Sequence, residues 1–148
     1  MHVREYQLAD HAEWLRMRRA LWPEIAADTE AADAADWLAR ADAVVLVVER
    51  PDGGWLAGFA ELATRPYVDG CDTSPVAYLE GWYVDPDVRR AGIGAALVRA
   101  GEGWARQHGY RELASDALLE NAVSQRAHRA LGFTEVERVV RYRKSLEA

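Results

Sequence analysis

The sequence has little cysteine, no long apolar run and no excess of basic residues, and each lack excludes a class of protein. A lone Cys71 cannot form an internal disulfide or a multi-thiolate metal site, which favours a reducing compartment. No stretch approaches the ~20 apolar residues that a membrane span requires, and residues 1–14 lack the pattern of a secretory leader. We therefore predict a cytoplasmic protein with no membrane association.

Acidic residues outnumber basic ones, 24 to 18, which gives a formal net charge of −6. This balance argues against a nucleic-acid-binding surface and is compatible with cationic partners. The four histidines show no metal-ligand spacing with Asp, Glu or Cys, so no metal site is predicted. Ser115-Asp116 lacks the G-x-S-x-G frame of a hydrolase nucleophile, which disfavours a hydrolase.

Strand and helix patterns alternate along the chain, with no linker, repeat or low-complexity segment. They predict a single α/β (α+β mixed) domain over residues 1–148, in which helices cover a mixed sheet. Asp10 and Glu13 read as a capping box for the first helix, which Pro23 ends. Gly109 ends the third helix, which opens near Ile93. The other helices are predicted at 33–40 and 121–131, and the strands at 2–8, 43–49, 55–65, 76–84, 110–117 and 134–146.

A glycine-containing loop, RRAGIG at residues 89–94, joins the strand that ends at Asp85-Pro86 to the third helix. Glycines let a ligand approach the backbone amides closely, and the first N–H groups of a helix lack internal partners. With Arg89 and Arg90 beside them, these amides form a site for phosphates, and a pyrophosphate suits it best. The segment lacks the three glycines of GxGxxG and the GK[ST] of a Walker loop.

The loop resembles the pyrophosphate motif [QR]-x-x-G-x-[GA] of the GCN5-related N-acetyltransferases, with matches at Arg89, Gly92 and Gly94. ALGF at residues 130–133 resembles the family's closing G-F signature. The resemblance implies a mostly antiparallel mixed sheet flanked by about four helices, with a splayed strand pair at the coenzyme site and acetyl-CoA as co-substrate. The coenzyme-binding residues that it implies are Trp82, Tyr83, Val84, Arg89, Arg90, Ala91, Gly92, Ile93, Gly94, Ala95 and Asn121.

Six further segments, in order, resemble the aminoglycoside 6′-N-acetyltransferases of this superfamily: residues 21–23, 67–75, 79–84, 112–117, 120–133 and 137–144. This resemblance implies acetyl transfer to the 6′-amine of a polycationic aminoglycoside, which inactivates the antibiotic. Relatives of this group are commonly homodimers, and the apolar last strand could pair across a two-fold axis. The substrate-binding residues that it implies are Trp22, Tyr67, Glu80, Asp116 and Glu137, and Asp69 is a further candidate by its residue type.

The residue types support this chemistry independently. A polycationic sugar needs carboxylates for its ammonium groups and aromatic faces for its rings. Glu80 interrupts the apolar run VAYLEGWYV, and a buried carboxylate is costly without a partner or a cleft. Asp116 follows a strand, at an end where open α/β sheets usually bind ligands. The alternatives are structural: Trp22 could belong to the hydrophobic core, and Asp72 could only stabilise a turn.

For catalysis, Glu80 or Asp116 could accept the proton that the acceptor ammonium must lose, directly or through water. A backbone N–H of LEGWYV could stabilise the oxyanion, and Gly81 would fit a bulge there. His128 occupies the position of the Tyr that protonates the leaving thiolate in many relatives, and Tyr142 is a second candidate. A structural role for either residue, and a capping role for Asn121, stays open.

Two other functions fit the same residues. An acetyltransferase for a polyamine, an amino sugar or a protein N-terminus would have an identical coenzyme half. A binding module could instead sense acetyl-CoA without turnover. Release of free coenzyme A with a panel of amines separates all three.

Overall fold

A computed structural model describes residues 2–148, and its centre is a five-stranded sheet in the order β1-β2-β3-β4-β5. The first four strands pair antiparallel in succession, whereas β4 and β5 are parallel. The predicted mixed, mostly antiparallel sheet is therefore confirmed. The strands are β1 (Val3–Glu5), β2 (Ala43–Glu49), β3 (Leu56–Arg65), β4 (Val76–Val84) and β5 (Leu113–Ser115).

Four α-helices cover the sheet: α1 (His11–Leu21), α2 (Ala27–Ala39), α3 (Ile93–Gln107) and α4 (Ala122–Ala130). Two short 3-10 helices, Leu8–Asp10 and Pro86–Val88, precede α1 and α3. Two core clusters lie on opposite faces of the sheet, one against α3 and the other against α1 and α2. The β2 run AVVLVVE serves both: Val44 and Leu46 pack in the α3 cluster, and Val45 packs in the other. Burial of both faces explains why this strand is continuously apolar.

The strand β4 has a bulge where it leaves its neighbour β5. Ladder pairing with β5 runs only from Ala77 to Leu79, so β4 has no β5 partner from Glu80 onward. On the other side, Glu61 pairs with Gly81 and Leu62 with Leu79, which leaves Glu80 as the extra residue. The extra residue reverses the side-chain alternation, so that Leu79 and Trp82 both pack in the α3 cluster. Glu80 and Gly81 consequently face α1 and α2.

The first helix starts where predicted, directly after Asp10, but its predicted capping box is wrong, and so is the predicted start of the second helix. Asp10 has a helical backbone and makes no side-chain cap for α1; its carboxylate instead accepts the backbone N–H of Gln7 at 2.8 Å and bonds to Arg4. An ion pair with Arg4 on β1 thus competes with the capping pattern. The second helix begins at Ala27, six residues before the predicted Asp33, because its first turns are supported by the buried side chain of Glu30.

The predicted final strand over 134–146 was also wrong. Residues 134–148, the C-terminal segment, have no regular structure, and Val139 and Tyr142 are 66% and 92% exposed. A β-branched run forms a strand only where a neighbouring strand satisfies its amides. Among residues 2–148 no strand pairs with this segment, and the second edge of β5 carries no ladder partner.

Candidate active site

The loop after β4 is anchored from beneath by a buried carboxylate. Asp85 is 3% exposed and accepts hydrogen bonds from Arg16 at 2.9 and 3.0 Å and from Arg50 at 2.9 Å. Burial alone would raise the pKa of Asp85, but the two guanidinium groups outweigh it and lower that pKa. The backbone N–H of Asp85 also bonds to the carbonyl of Ala57. These contacts fix where the strand ends and the loop begins.

The loop itself presents backbone and arginines to solvent at the start of α3. Gly92 is the N-cap of α3 in the left-handed region, with φ 81°, and Arg90 also has a positive φ of 68°. A Cβ on Gly92 would meet no atom within 4 Å, so its surface is open to a ligand. Arg89 and Arg90 are exposed, as is Ala91. The predicted phosphate site therefore has free helix amides and two cations in one place.

Trp82 supports this loop from the α3 face of the sheet. Its indole N–H donates to the carbonyl of Gly94 at 3.1 Å, and a Cβ on Gly94 would lie 3.3 Å from the ring. Ile93 is buried next to it, whereas Gly94 and Ala95 are half-buried. Tyr83 and Val84 lie on the part of β4 without a β5 partner. The Val84 carbonyl accepts the Nε–H of Arg89 at 2.9 Å, whereas Tyr83 has no ladder partner on that side, where an extended ligand could pair.

His128, the predicted proton donor, uses both ring nitrogens within the fold. Nε2 lies 2.8 Å from the hydroxyl of Ser115, and Nδ1 lies 2.7 Å from the carbonyl of Ser124. A carbonyl can only accept, so Nδ1 carries a proton and Nε2 accepts from Ser115 when the ring is neutral. The ring also packs edge-on against Trp82 and Phe133. From its position on α4, His128 therefore contacts β5 through Ser115 and β4 through Trp82.

Two predicted residues remain: Asn121 as a coenzyme contact and Tyr142 as a proton donor. Asn121 is the N-cap of α4, and its side chain accepts the backbone N–H of Ser124 at 3.1 Å. That confirms the capping role without excluding a coenzyme contact. Tyr142 lies in the C-terminal segment and is nearly fully exposed, so the buried core position that was its alternative is wrong.

An open cleft of about 410 Å³ lies between the first two helices and the bulged part of the sheet. Its floor contains Glu61 and Glu80, and Trp22 forms part of one wall. Trp22 packs edge-on against Phe59, and a Cβ on Gly81 would lie 2.9 Å from its ring, which explains the glycine. The complete lining is Arg18, Trp22, Ile25, Asp33, Asp36, Trp37, Arg40, Glu61 and Glu80.

Glu80 and Asp116 are joined through two intervening side chains. Arg65 donates to both oxygens of Glu80, at 2.6 and 3.1 Å, and its guanidinium lies over the Tyr78 ring at 3.4 Å from the centroid. The Tyr78 hydroxyl in turn donates to Asp116. Burial, followed by this bond to Asp116, raises the pKa of Tyr78. The sequence predicted that Glu80 needs a partner or a cleft, and the structure shows that the partner is Arg65, which was not predicted.

The loop at 66–75 carries two predicted substrate residues, Tyr67 and Asp69, both exposed. Glu112 holds this loop by accepting the backbone N–H groups of Asp72 and Thr73, at 2.9 and 2.6 Å. Glu137 is exposed on the C-terminal segment.

The C-terminal segment touches this loop at one point. A Cβ on Gly70 would collide with the side chain of Val136, so the loop and the C-terminal segment are in close contact there. The loop and the start of the segment are therefore neighbours, but neither Glu137 nor Tyr67 lines the cleft.

A buried charge cluster beneath the cleft was not predicted. Arg18 bonds to Glu30 and to Glu61, and Trp14 donates its indole N–H to Glu61 at 3.1 Å. Burial raises the pKa of Glu61 to about 7, although Arg18 opposes that shift. The available signal was the one used for Glu80: a carboxylate that interrupts an apolar run, here LAGFAELAT. Asp33 and Asp36 carry no such signal, because they lie in an Ala-rich helix with several acidic residues.

Within residues 2–148, no group of three or more His, Cys, Asp and Glu side chains is arranged to hold a metal ion. In the same part of the chain, no helix combines the length and apolar composition that a membrane crossing needs.

Comparison with known proteins gives consistent matches. The acetyltransferase (GNAT) family profile matches residues 11–133. The chain is 48% identical to an aminoglycoside N(6′)-acetyltransferase type 1 of Klebsiella aerogenes, over 97% of this chain and 96% of that one. The crystal structure of AAC(6′)-Iy with the bisubstrate analogue CoA-S-monomethyl-acetylneamine is 38% identical, with a TM-score of 0.90 over 97% of each chain. The apo structure of AAC(6′)-Ig from Acinetobacter haemolyticus is 36% identical, with a TM-score of 0.90 over 99% of this chain and 100% of that one.

Proposed function

The chain belongs to the acetyltransferase (GNAT) family, and from that premise we propose that it transfers the acetyl group of acetyl-CoA to the 6′-amine of an aminoglycoside. One observation carries the acceptor assignment: an open cleft with four carboxylates, Asp33, Asp36, Glu61 and Glu80, and the rings of Trp22 and Trp37. A polycationic sugar is the ligand class that such a lining suits. The relatives' names, and the bisubstrate analogue bound to one of them, support the same acceptor.

The coenzyme fits the loop after β4 because that loop leaves its helix amides open. Gly92 would hold the pyrophosphate through its left-handed backbone, with Arg89 and Arg90 as counter-charges. The unpaired side of β4, from Glu80 to Val84, would pair with the pantetheine arm. When bound, acetyl-CoA supplies the thioester that the amine attacks.

The protein's own residues then prepare the amine. Glu80 lies on the bulge, next to the unpaired backbone of β4, so we assign it the proton from the acceptor ammonium, directly or through one water. Arg65 holds the Glu80 carboxylate in position until the substrate cation competes for it. Asp116, fixed by Tyr78, anchors a second ammonium or hydroxyl group. A backbone N–H of residues 81–84 faces the developing oxyanion.

His128 is a weaker proton donor than the sequence suggested. Its Nδ1–H is committed to the Ser124 carbonyl, and its Nε2 accepts from Ser115. We assign it to positioning Trp82 under the coenzyme loop. A thiolate is a good leaving group, so the reaction does not depend on a donor at this point.

We also propose a homodimer in the cytoplasm. The C-terminal segment exposes Val136, Val139 and Val140, and the outer edge of β5 has no partner in the described chain. Covering both would remove exposed apolar surface and unpaired backbone at once. The single cysteine supports a reducing compartment.

The test is release of free coenzyme A from acetyl-CoA with a matched pair of aminoglycosides that differ only in a 6′-amine or a 6′-hydroxyl. We expect turnover with the amine and none with the hydroxyl, and mass spectrometry should show one acetyl group at the 6′ position. Turnover with polyamines or peptides alone would indicate the alternative function, an acetyltransferase for another amine. Saturable coenzyme binding without turnover on any amine would indicate a sensor.

A further inference from the structure

The cluster beneath the cleft contains more negative than positive charge. Arg18, Glu30 and Glu61 are 5%, 0% and 1% exposed, so two carboxylates share one guanidinium away from water. Among the described residues, Oε2 of Glu30 is buried with no hydrogen-bond partner. A buried excess charge with an unsatisfied oxygen is costly, and uptake of one proton removes that cost.

Among the described residues, the one other cation of the cleft is Arg40, which already pairs with Asp42. From α1, Glu61 meets Arg18 and the indole N–H of Trp14; from α2, it meets Glu30. Its neighbours on β2 and β4, Val45 and Gly81, carry no charge. The other charged groups of the cleft are Asp33, Asp36, Arg40 and Glu80, three of them acidic. The electrostatic environment of the cluster is thus negative on balance.

The cluster also forms part of the cleft. Arg18 and Glu61 line it directly, and the Arg18 guanidinium is held between two indoles, 5.1 Å from the Trp14 ring and 4.9 Å from the Trp22 ring. A cation in the cleft therefore lies next to Glu61, one of the two cluster members that line it. It also acts on Trp22, whose ring rests on Arg18.

We propose that Arg18, Glu30 and Glu61 form a proton-linked positioning cluster for the acceptor: it holds one shared proton while the cleft is empty and releases it when a polycationic substrate enters. The substrate's positive charge replaces that of the proton, so the ionised cluster then attracts the substrate and keeps Arg18 and Trp22 in place. The balance is one proton from the carboxylate pair to solvent for each protonated cluster that binds an acceptor. This inference rests on the proposed aminoglycoside cleft.

The first test concerns the free protein and needs no substrate. Protein labelled with ¹³C at glutamate side chains is titrated by NMR, and Glu61→Gln identifies the Glu61 resonance. We expect one carboxyl of the pair to titrate near neutral pH and to disappear from that range in Glu61→Gln. Titration of both carboxyls below pH 5 would overturn the proposal and leave the proposed function intact.

The second test measures protons released on binding, by calorimetry of an aminoglycoside with a 6′-amine in buffers of different ionisation enthalpy. Substrate amines titrate too, so the readout is wild type minus Glu61→Gln. At pH 7 we expect a difference of about 0.4 proton, which vanishes by pH 9, since a cation that lowers a neutral pKa by about one unit releases that fraction. Glu49→Gln is the matched control, because Glu49 pairs with Arg4 on β1 and does not line the cleft.

The outcomes distinguish the two proposals. Equal proton release by wild type and Glu61→Gln, with tight binding by both, overturns the linkage alone. Absence of any aminoglycoside binding by wild type overturns the proposed function and the linkage with it. A Glu61→Gln deficit that Glu49→Gln does not share supports both, since a purely structural role for Glu61 would not change the number of protons.

Discussion

At the scale of single residues, the site depends on two carboxylates that interrupt apolar strands. Glu80 and Glu61 lie on adjacent strands, where Glu61 pairs with Gly81 next to Glu80. Their environments differ: Glu80 is half-exposed and bonded to Arg65, whereas Glu61 is buried with Arg18 and Glu30. One carboxylate can thus meet the substrate while the other acts through its charge. Environment, rather than residue type, separates the two roles.

Glu80→Gln and Asp116→Asn should each lower kcat with little change in coenzyme affinity. Loss of a general base typically costs about 10²–10⁴-fold, and we expect the larger loss for Glu80. Steady-state kinetics with an aminoglycoside, together with calorimetry of coenzyme A binding, measure the two effects. Glu5→Gln, an exposed change on β1, is the control. Equal losses of coenzyme affinity in both site variants would contradict this division of roles.

Glu61 should make stability depend on pH near neutrality. Its pKa in the folded protein, about 7, lies above the ordinary value of 4.5, because burial penalises the charged form. Its contribution is therefore complete below about pH 4.5 and is lost as pH rises through 7. We expect the free energy of unfolding of wild type to fall by about 1–3 kcal/mol more than that of Glu61→Gln between pH 5 and 8. Urea melts at several pH values would contradict this if the two proteins changed in parallel.

At the scale of elements, the bulge in β4 and the start of α3 divide the site into two halves. The bulge directs Glu80 toward the acceptor cleft and leaves Trp82 on the opposite face, under the coenzyme loop. The loss of pairing with β5 at the same point frees the backbone between these halves. We therefore expect this one irregularity in one strand to place the two proposed substrates side by side.

Gly92→Val should weaken coenzyme binding. Its φ of 81° disfavours any residue with a Cβ, by about 1–2 kcal/mol, and a valine would also cover the open surface beside the helix amides. We expect at least a tenfold rise in the Kd for coenzyme A, measured by calorimetry. Gly103→Ala is the matched control within α3, because a Cβ there meets nothing and the helix should gain about 0.5–1 kcal/mol. An unchanged Kd for Gly92→Val would contradict the loop as the pyrophosphate site.

At the scale of the whole molecule, residues 134–148 pair with no strand, whereas each of the five described strands has a partner. The segment starts beside the loop at 66–75, through Val136 and Gly70, so a partner that orders it would also affect the substrate side. Glu137 and Tyr142 are carried on it. In the proposed dimer, their predicted roles would depend on how the two chains assemble.

A chain that ends at Phe133 should be monomeric, whereas the full chain should be dimeric. The physical reason is the loss of the exposed apolar side chains that would be buried between copies. Light scattering coupled to size-exclusion chromatography measures the difference. Val139→Asp with Val140→Asp keeps the segment but makes it polar, and should shift the full-length chain toward monomer. A monomeric wild type across micromolar concentrations would contradict the proposed dimer.

Local patterns in the sequence predicted most of the fold. The apolar runs gave β2 and β4 with their observed bounds, and Asn121 and Gly109 marked helix ends that the structure confirms. They succeeded because strand pattern, turn residues and caps act over a few residues. The same rules failed for the capping box at Asp10 and for the strand at residues 134–146, where an ion pair with Arg4 and a missing partner strand decide the structure.

The sequence by itself determined that a glycine loop opens a helix after an apolar strand, and that acidic residues accumulate where a cation could bind. Only the tertiary structure decided which carboxylates share the cleft. Arg65 on β3 joins Glu80 on β4, and Glu61 and Glu30 share Arg18, so that this cluster draws on three separate elements. The physical reason is that a carboxylate's role depends on its burial and on the charges around it, and both arise only when distant segments pack together.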